Sequence, residues 1–292
     1  MDIRSWARGD VFSTAEARAA GIDPGLLRRM VARRELHPLD RGWYAVRPPV
    51  DDRDHHLLRT EALRRQFAGR AVPSHHSALA LLGSALLRPD LATVHLTRLG
   101  DRLSRRRPGL ALHQAVPGLP IGPTVPLAEA IVQSGMANSP LDALVAADDA
   151  LHRGLLQPHD LTRATARFAT HESIGPVRQI LTEADARIES PGESLLGHAL
   201  RRLGYRLVPQ FTVTVDGTAY RADFGIVGTR VLAEFDGEVK YADRRALFAE
   251  KRREDAIRGR GWGFARFVWA ELHRLDLIDR RVKEAIRLTR CT

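Results

Sequence analysis

The sequence predicts a multidomain α+β and α/β chain in three parts, over residues 1–50, 51–185 and 186–292. Three observations carry this expectation. Residues 10–47 read as two short helices followed by two short apolar strands. Residues 51–180 hold mostly helical patterns. Beyond Ser190 the order is helix, three strands separated by tight-turn dipeptides, helix, strand and a final helix.

The N-terminal part has clear punctuation. Ser13 or Thr14 caps a short helix that Gly21 ends, with Glu16 in its first turn. Asp23-Pro24 opens a second helix, Asp as N-cap and Pro at the first helical position, running to about Arg34. Leu26, Leu27, Met30 and Val31 share one face, whereas Arg28, Arg29 and Arg33 lie elsewhere on the helix. Strands at Leu36–Leu39 and Trp43–Val46 flank a turn at Asp40-Arg41-Gly42. This is the order of a small winged helix-turn-helix, in which the second helix enters the major groove and Arg41 approaches the backbone. The alternative is an αα-hairpin and ribbon that only packs.

The middle part predicts helices around His55–Arg65, from Ser74 to Gly83, over Thr124–Val132 and over Pro140–Arg153. "TVHLT" reads as a strand and "GLALHQA" as its partner after a basic turn, Arg105–Arg107. His55-His56 and His75-His76 are adjacent pairs, whose side chains diverge by about 100° on a helix. Capping, packing or a surface place explains them. Asp148-Asp149 has no lysine or histidine partner in view and receives no catalytic role.

The C-terminal part carries the chemistry. Ser190, Pro191 and Glu193 fit a capping box at the head of a helix. Glu234 and Asp236 are two residues apart on a strand and project from one face. Asp223 sits on the neighbouring strand, able to lie beside them. Carboxylates gathered on a sheet call for a cation, and oxygen-only ligands suit Mg²⁺ or Mn²⁺. Structural ion pairs or turn chemistry are the plainer readings of each.

Composition bounds the setting. The chain has 292 residues, enough for two or three domains, with 44% hydrophobic and 27% charged. No run of about 18 apolar residues predicts a membrane span, and the N-terminal stretch has no apolar signal core. The single cysteine, Cys291, excludes an internal disulfide, and a cytoplasmic location is expected. The net charge of +10 is spread as +3 over residues 1–50, +1 over 51–190 and +6 over 191–292. Basic ends point to a polyanion, nucleic acid first. Only Lys240, Lys251 and Lys283 break an otherwise all-arginine basic set.

Two resemblances sharpen these expectations. The first 50 residues, closing on "GWYAV", resemble the winged helix of AbiEi-type antitoxins of toxin–antitoxin systems. "SHHSALALLG" and "ALVAADDALHRG" resemble the second domain of long AbiEi-like proteins. "ESLLGHALRRLGY", "RADF", "LAEFDGEVKY", "EKRREDAIRGRGW" and the closing "RF" resemble the very-short-patch-repair-like endonuclease domain, of the PD-(D/E)XK restriction-endonuclease-like fold. That resemblance implies a Mg²⁺-dependent DNA endonuclease with Asp223 and Glu234 as metal ligands. Asp236 is third ligand or water-orienting group, and Glu193 supports the site as well as capping its helix. Asp236 stands where the wider superfamily has lysine, so Lys251, or failing that Lys240, must stabilise the developing charge. Arg252, Arg253 and Arg258 are the expected phosphate contacts. The alternative expectation is a non-enzymatic antitoxin and transcriptional repressor with a degenerate nuclease fold, paired with a nucleotidyltransferase-like toxin.

Overall fold

The computed structural model describes residues 3, 7–101, 103–120, 122–215, 217–237 and 254–290. Within them the protein is mixed α/β, with one antiparallel three-stranded sheet and two mixed four-stranded sheets. The chain divides into two units, Met1–Ala146 with His159–Val177, and Ala147–Pro158 with Arg178–Thr292. Among the described residues no helix is long and apolar enough to cross a membrane.

In the first unit β1 (Val11–Ser13) runs into α1 (Thr14–Ala19) and α2 (Pro24–Ala32), followed by β2 (His37–Asp40) and β3 (Trp43–Ala45). The Glu16 amide donates to Ser13 Oγ, and the Ser13 amide donates to Glu16 Oε2 at 2.8 Å, a reciprocal cap. Asp23 accepts from the Gly25 and Leu26 amides ahead of Pro24. The sheet order is β1-β3-β2. Strand β1 is absent from the sequence reading of residues 1–50, because three residues are too few for alternation to register.

Helix α3 (Asp52–Gln66) serves two sheets. Its Leu58 and Ala62 pack with Val11, Leu39 and Trp43, and its Leu63 packs with Val94, Leu96 and Leu110 of the second sheet. That sheet comprises β4 (Ala71–Pro73), β5 (Val94–Arg98), β6 (Arg105–Arg107) and β7 (Leu110–His113), ordered β4-β5-β7-β6. Helix α4 (His75–Leu81) leaves β4 directly. The pairing of β5 with β7 is parallel. Arg105–Arg107 therefore corrects the expected turn. The three arginines form an exposed edge strand antiparallel to β7, and a short charged strand is a suitable terminus for a sheet. Helices α5 (Leu127–Ala137), α6 (Pro140–His152), α7 (Pro158–Arg167) and α8 (Ile174–Leu181) follow.

The second unit is built on a sheet ordered β11-β10-β9-β8, from β8 (Leu207–Val215), β9 (Thr218–Ile226), β10 (Val231–Phe235) and β11 (Gly263–Phe267). The first three strands are antiparallel neighbours, whereas β10 and β11 are parallel and need a crossover between them. Residues 254–258 of that crossover are helical. Alternation divides β10 between two cores. Val231 and Ala233 pack with Leu196 and Leu200 of α9 (Pro191–Arg202) and with Ile278 and Val282 of α10 (Leu275–Arg290). Leu232 points the other way, to Val213, Phe264 and Ile257. Helices thus cover both faces of the sheet.

Candidate functional site

The strand registers place one row of polar side chains across the second unit's sheet. Gly225 pairs with Leu232 and Phe224 with Ala233, so the next rung sets Asp223 beside Glu234. Pro209 pairs with Phe224 and Phe211 with Ala222, which sets Gln210 beside Asp223. On the other side Glu234 pairs with Arg266. Gln210, Asp223, Glu234 and Arg266 are therefore neighbours across β8, β9, β10 and β11; Glu234 and Arg266 share a rung, whereas the alternation of β9 reverses at Asp223, with Ala222 and Phe224 packed in different cores. Asp236 lies just past β10, half-buried, its amide donating to the Phe267 carbonyl at 2.8 Å.

Glu193 reaches this row from α9. A Cβ on Gly192 would stand 2.1 Å from the Phe235 ring, so only glycine lets the head of α9 rest on the end of β10. Ser190 caps the helix through the Glu193 amide, as the sequence implies. The Glu193 carboxylate accepts from the Glu189 amide at 3.0 Å and from Gln210 Nε2 at 2.9 Å. Gln210 makes that contact from a φ of +52°, a left-handed conformation inside a strand that costs a non-glycine residue about 1–3 kcal/mol.

The carboxyl of Asp223 is strongly perturbed. Burial raises it first, and the charges of Glu193, Glu234 and Asp236 raise it further. A 2.7 Å hydrogen bond from the Phe235 amide to Oδ2 pulls the other way, and the outcome is about 7. Glu234 is buried and neutralised differently, by an ion pair with Arg266 at 3.0 Å. Arg266 also reaches Glu254 at 3.4 Å.

The predicted set thus divides. Asp223, Glu234, Asp236 and Glu193 come close enough for their charges to act on one carboxyl. Lys251, Lys240, Arg252 and Arg253 lie outside the described residues. Arg258 is exposed, paired with Glu254 at 2.7 Å and stacked over Phe264. Arg28, Arg29, Arg33 and Arg41 are all exposed, and among the described residues none forms an ion pair. Gln210 escaped the sequence reading as a site residue, since its role depends on register and a backbone angle. The sequence offers Arg221 or Arg266 as a surface partner for Asp223; in the structure Arg221 pairs with Glu189 at 2.8 Å and Arg266 with Glu234. Asp148 proves structural: it is buried and accepts from Ser194 Oγ at 2.7 Å and the Asp185 amide at 2.8 Å.

The donor chemistry fits a hard divalent ion, since every candidate ligand is a carboxylate oxygen. Among the described residues no three carboxylates bring an oxygen each within 4.8 Å of one another; three histidines of the first unit do. Mg²⁺ requires only one or two carboxylates beside water and phosphate oxygens, so Asp223 with Glu234 or Asp236 suffices. No family model matches the chain, and no curated protein matches it.

Proposed function

We propose that this protein binds DNA through an N-terminal winged helix and hydrolyses phosphodiesters at a PD-(D/E)XK-type site in its second unit. The observation that carries the reading is the gathering of Glu193, Glu234 and Asp236 around Asp223, whose carboxyl is raised to about 7 by burial first and by their charges after it. Mutually repelling carboxylates on rigid strands are stabilised by a cation, and the strand order places them on adjacent strands. Asp223 with Glu234 or Asp236 would hold Mg²⁺ or Mn²⁺, whose Lewis acidity offsets the charge that builds on a phosphodiester. Gln210 holds Glu193 at the edge of the row, and Arg266 holds Glu234 in place. The exposed Arg28, Arg29, Arg33 and Arg41 suit phosphate contact, and DNA is the expected partner.

Plasmid nicking and duplex, mismatched and single-stranded cleavage with Mg²⁺ or Mn²⁺ test the reading. Metal-dependent cleavage that disappears in Asp223→Ala is the expected outcome. Inactivity on every substrate, or full activity in that variant, rejects it.

One observation favours a second reading. Arg266 already balances Glu234, so the sheet can persist without a metal. On that reading the protein is an AbiEi-type antitoxin and repressor that keeps a degenerate nuclease fold, with a nucleotidyltransferase-like toxin as partner. Metal-independent binding to its own promoter, without cleavage, is its signature.

A further inference from the structure

We propose that the first unit holds a borderline divalent transition ion of the Zn²⁺ class on His75, His95 and His113. One ring nitrogen from each lies within 4.8 Å of the others. The three ligands come from three elements that the sheet topology brings together. Strand β4 ends beside β5, where the Ser74 amide donates to the His95 carbonyl at 3.0 Å and α4 starts at His75. His95 lies on β5 and His113 ends β7, its parallel neighbour.

The nitrogens are close enough to meet at one ion. His113 Nε2 is 3.0 Å from His95 Nδ1. Two nitrogens bound tetrahedrally at about 2.0–2.1 Å from Zn²⁺ stand about 3.3 Å apart, so the pair needs to open by only a few tenths of an ångström. The His75 ring stacks on His113 with centroids 3.8 Å and planes 24° apart, so it must turn out of the stack for its nitrogen to point at the same ion. Its Nδ1 is engaged by Ser74 Oγ at 2.9 Å, the kind of partner that metal-bound histidines keep on the nitrogen that does not ligate.

Two further observations point to a ligand. His75 adopts φ +52°, strain of the kind that persists where a side chain must be held in one place. His76 is 1% exposed, its Nε2 lies 3.1 Å from the Thr93 carbonyl, and its Nδ1 has no hydrogen-bond partner. That ring stands 4.6 Å from His95, so a buried nitrogen without a hydrogen-bond partner belongs to the ring beside one of the three ligands. Burial also favours the neutral imidazole, the form that ligates.

The donor set decides the metal class. Neutral imidazoles suit Zn²⁺, Co²⁺, Ni²⁺ and Cu²⁺, and they discriminate against Mg²⁺, which prefers the all-oxygen carboxylates of the second unit. Three protein ligands leave a fourth position for an exchangeable group. The charge of Arg106 reaches all three rings and suits an anion there.

The test uses the full, tag-free chain, stripped with chelator and titrated with Zn²⁺ by calorimetry and with Co²⁺ by visible absorption. The expected result is a single tight equivalent, with the strong bands of tetrahedral Co²⁺. His113→Ala, at a half-buried position, is expected to weaken Zn²⁺ binding by about 100-fold or more, and His113→Cys to retain it through thiolate. Asp223→Asn binds Zn²⁺ as the natural chain does, which separates this site from the carboxylates. Absence of stoichiometric binding or of the tetrahedral bands in the natural chain overturns the proposal. So does a folded His113→Ala variant that binds with undiminished affinity. If His113→Ala does not fold, the titration of the natural chain and the rise of its melting temperature with Zn²⁺ decide the question.

Discussion

Glu234 is an expensive residue to bury unless something neutralises it. Arg266 does so at 3.0 Å. Removing one partner of a buried pair leaves an uncompensated charge, so Arg266→Met is expected to cost on the order of 3 kcal/mol in urea melts. If the row accepts a divalent ion, millimolar Mg²⁺ recovers part of that loss in the variant; melts of the variant with and without Mg²⁺ measure it. Asp148 answers the same problem by keeping its proton. Burial raises it from 3.8 to about 7 despite the hydrogen bonds it accepts. Between those values the folded state holds more protons than the unfolded state. The stability that this group contributes is therefore greatest below about pH 4 and falls as the pH rises towards 7, by up to about 4 kcal/mol. Asp148→Asn removes that part of the slope. Urea melts at pH 5 and pH 8 should show a smaller difference for the variant than for the natural chain. Parallel curves refute the assignment.

At the scale of elements, the head of α9 and the end of β10 act as one piece. Gly192 has no room for a methyl group, because Phe235 lies against it and is itself held edge-on by Trp269, with ring centroids 5.0 Å apart. Gly192→Ala is expected to destabilise the chain by about 1–3 kcal/mol through overpacking. It should also move Glu193 away from Gln210. Thermal melts read the first effect, and loss of any metal-dependent cleavage at a temperature where the variant is still folded reads the second. The same scale explains uneven legibility. Caps at Ser13, Asp23 and Ser190 were visible because capping is local chemistry of three or four residues. The strand β6 was not, because a run of three arginines becomes a strand only when β7 offers an edge to pair with.

For the whole molecule, charge is the property that reaches a distant partner. The four exposed arginines of α2 and the β2–β3 turn stand apart from any ion pair among the described residues. If they meet phosphates, Arg28→Gln with Arg29→Gln should weaken binding to duplexes of any sequence. The slope of log K against log salt should fall by about 2. Fluorescence anisotropy across a salt series measures both. An unchanged slope rejects α2 as a phosphate-binding helix.

The sequence by itself determined the local grammar: the capped helices, the longer strand segments, the carboxylates spaced two apart on a strand, and the excess of positive charge. These depend on neighbours a few residues apart, where steric and hydrogen-bonding rules act directly. Tertiary structure alone decided which distant residues meet. Gln210, Asp223, Glu234 and Arg266 form a row because the register of four strands aligns them. His75, His95 and His113 converge because β4, β5 and β7 lie side by side, although no spacing along the chain announces it. Adjacent His75 and His76 say nothing of this in the sequence: His75 meets His95 and His113 across the sheet, where long-range pairing, not sequence distance, sets the separation of atoms.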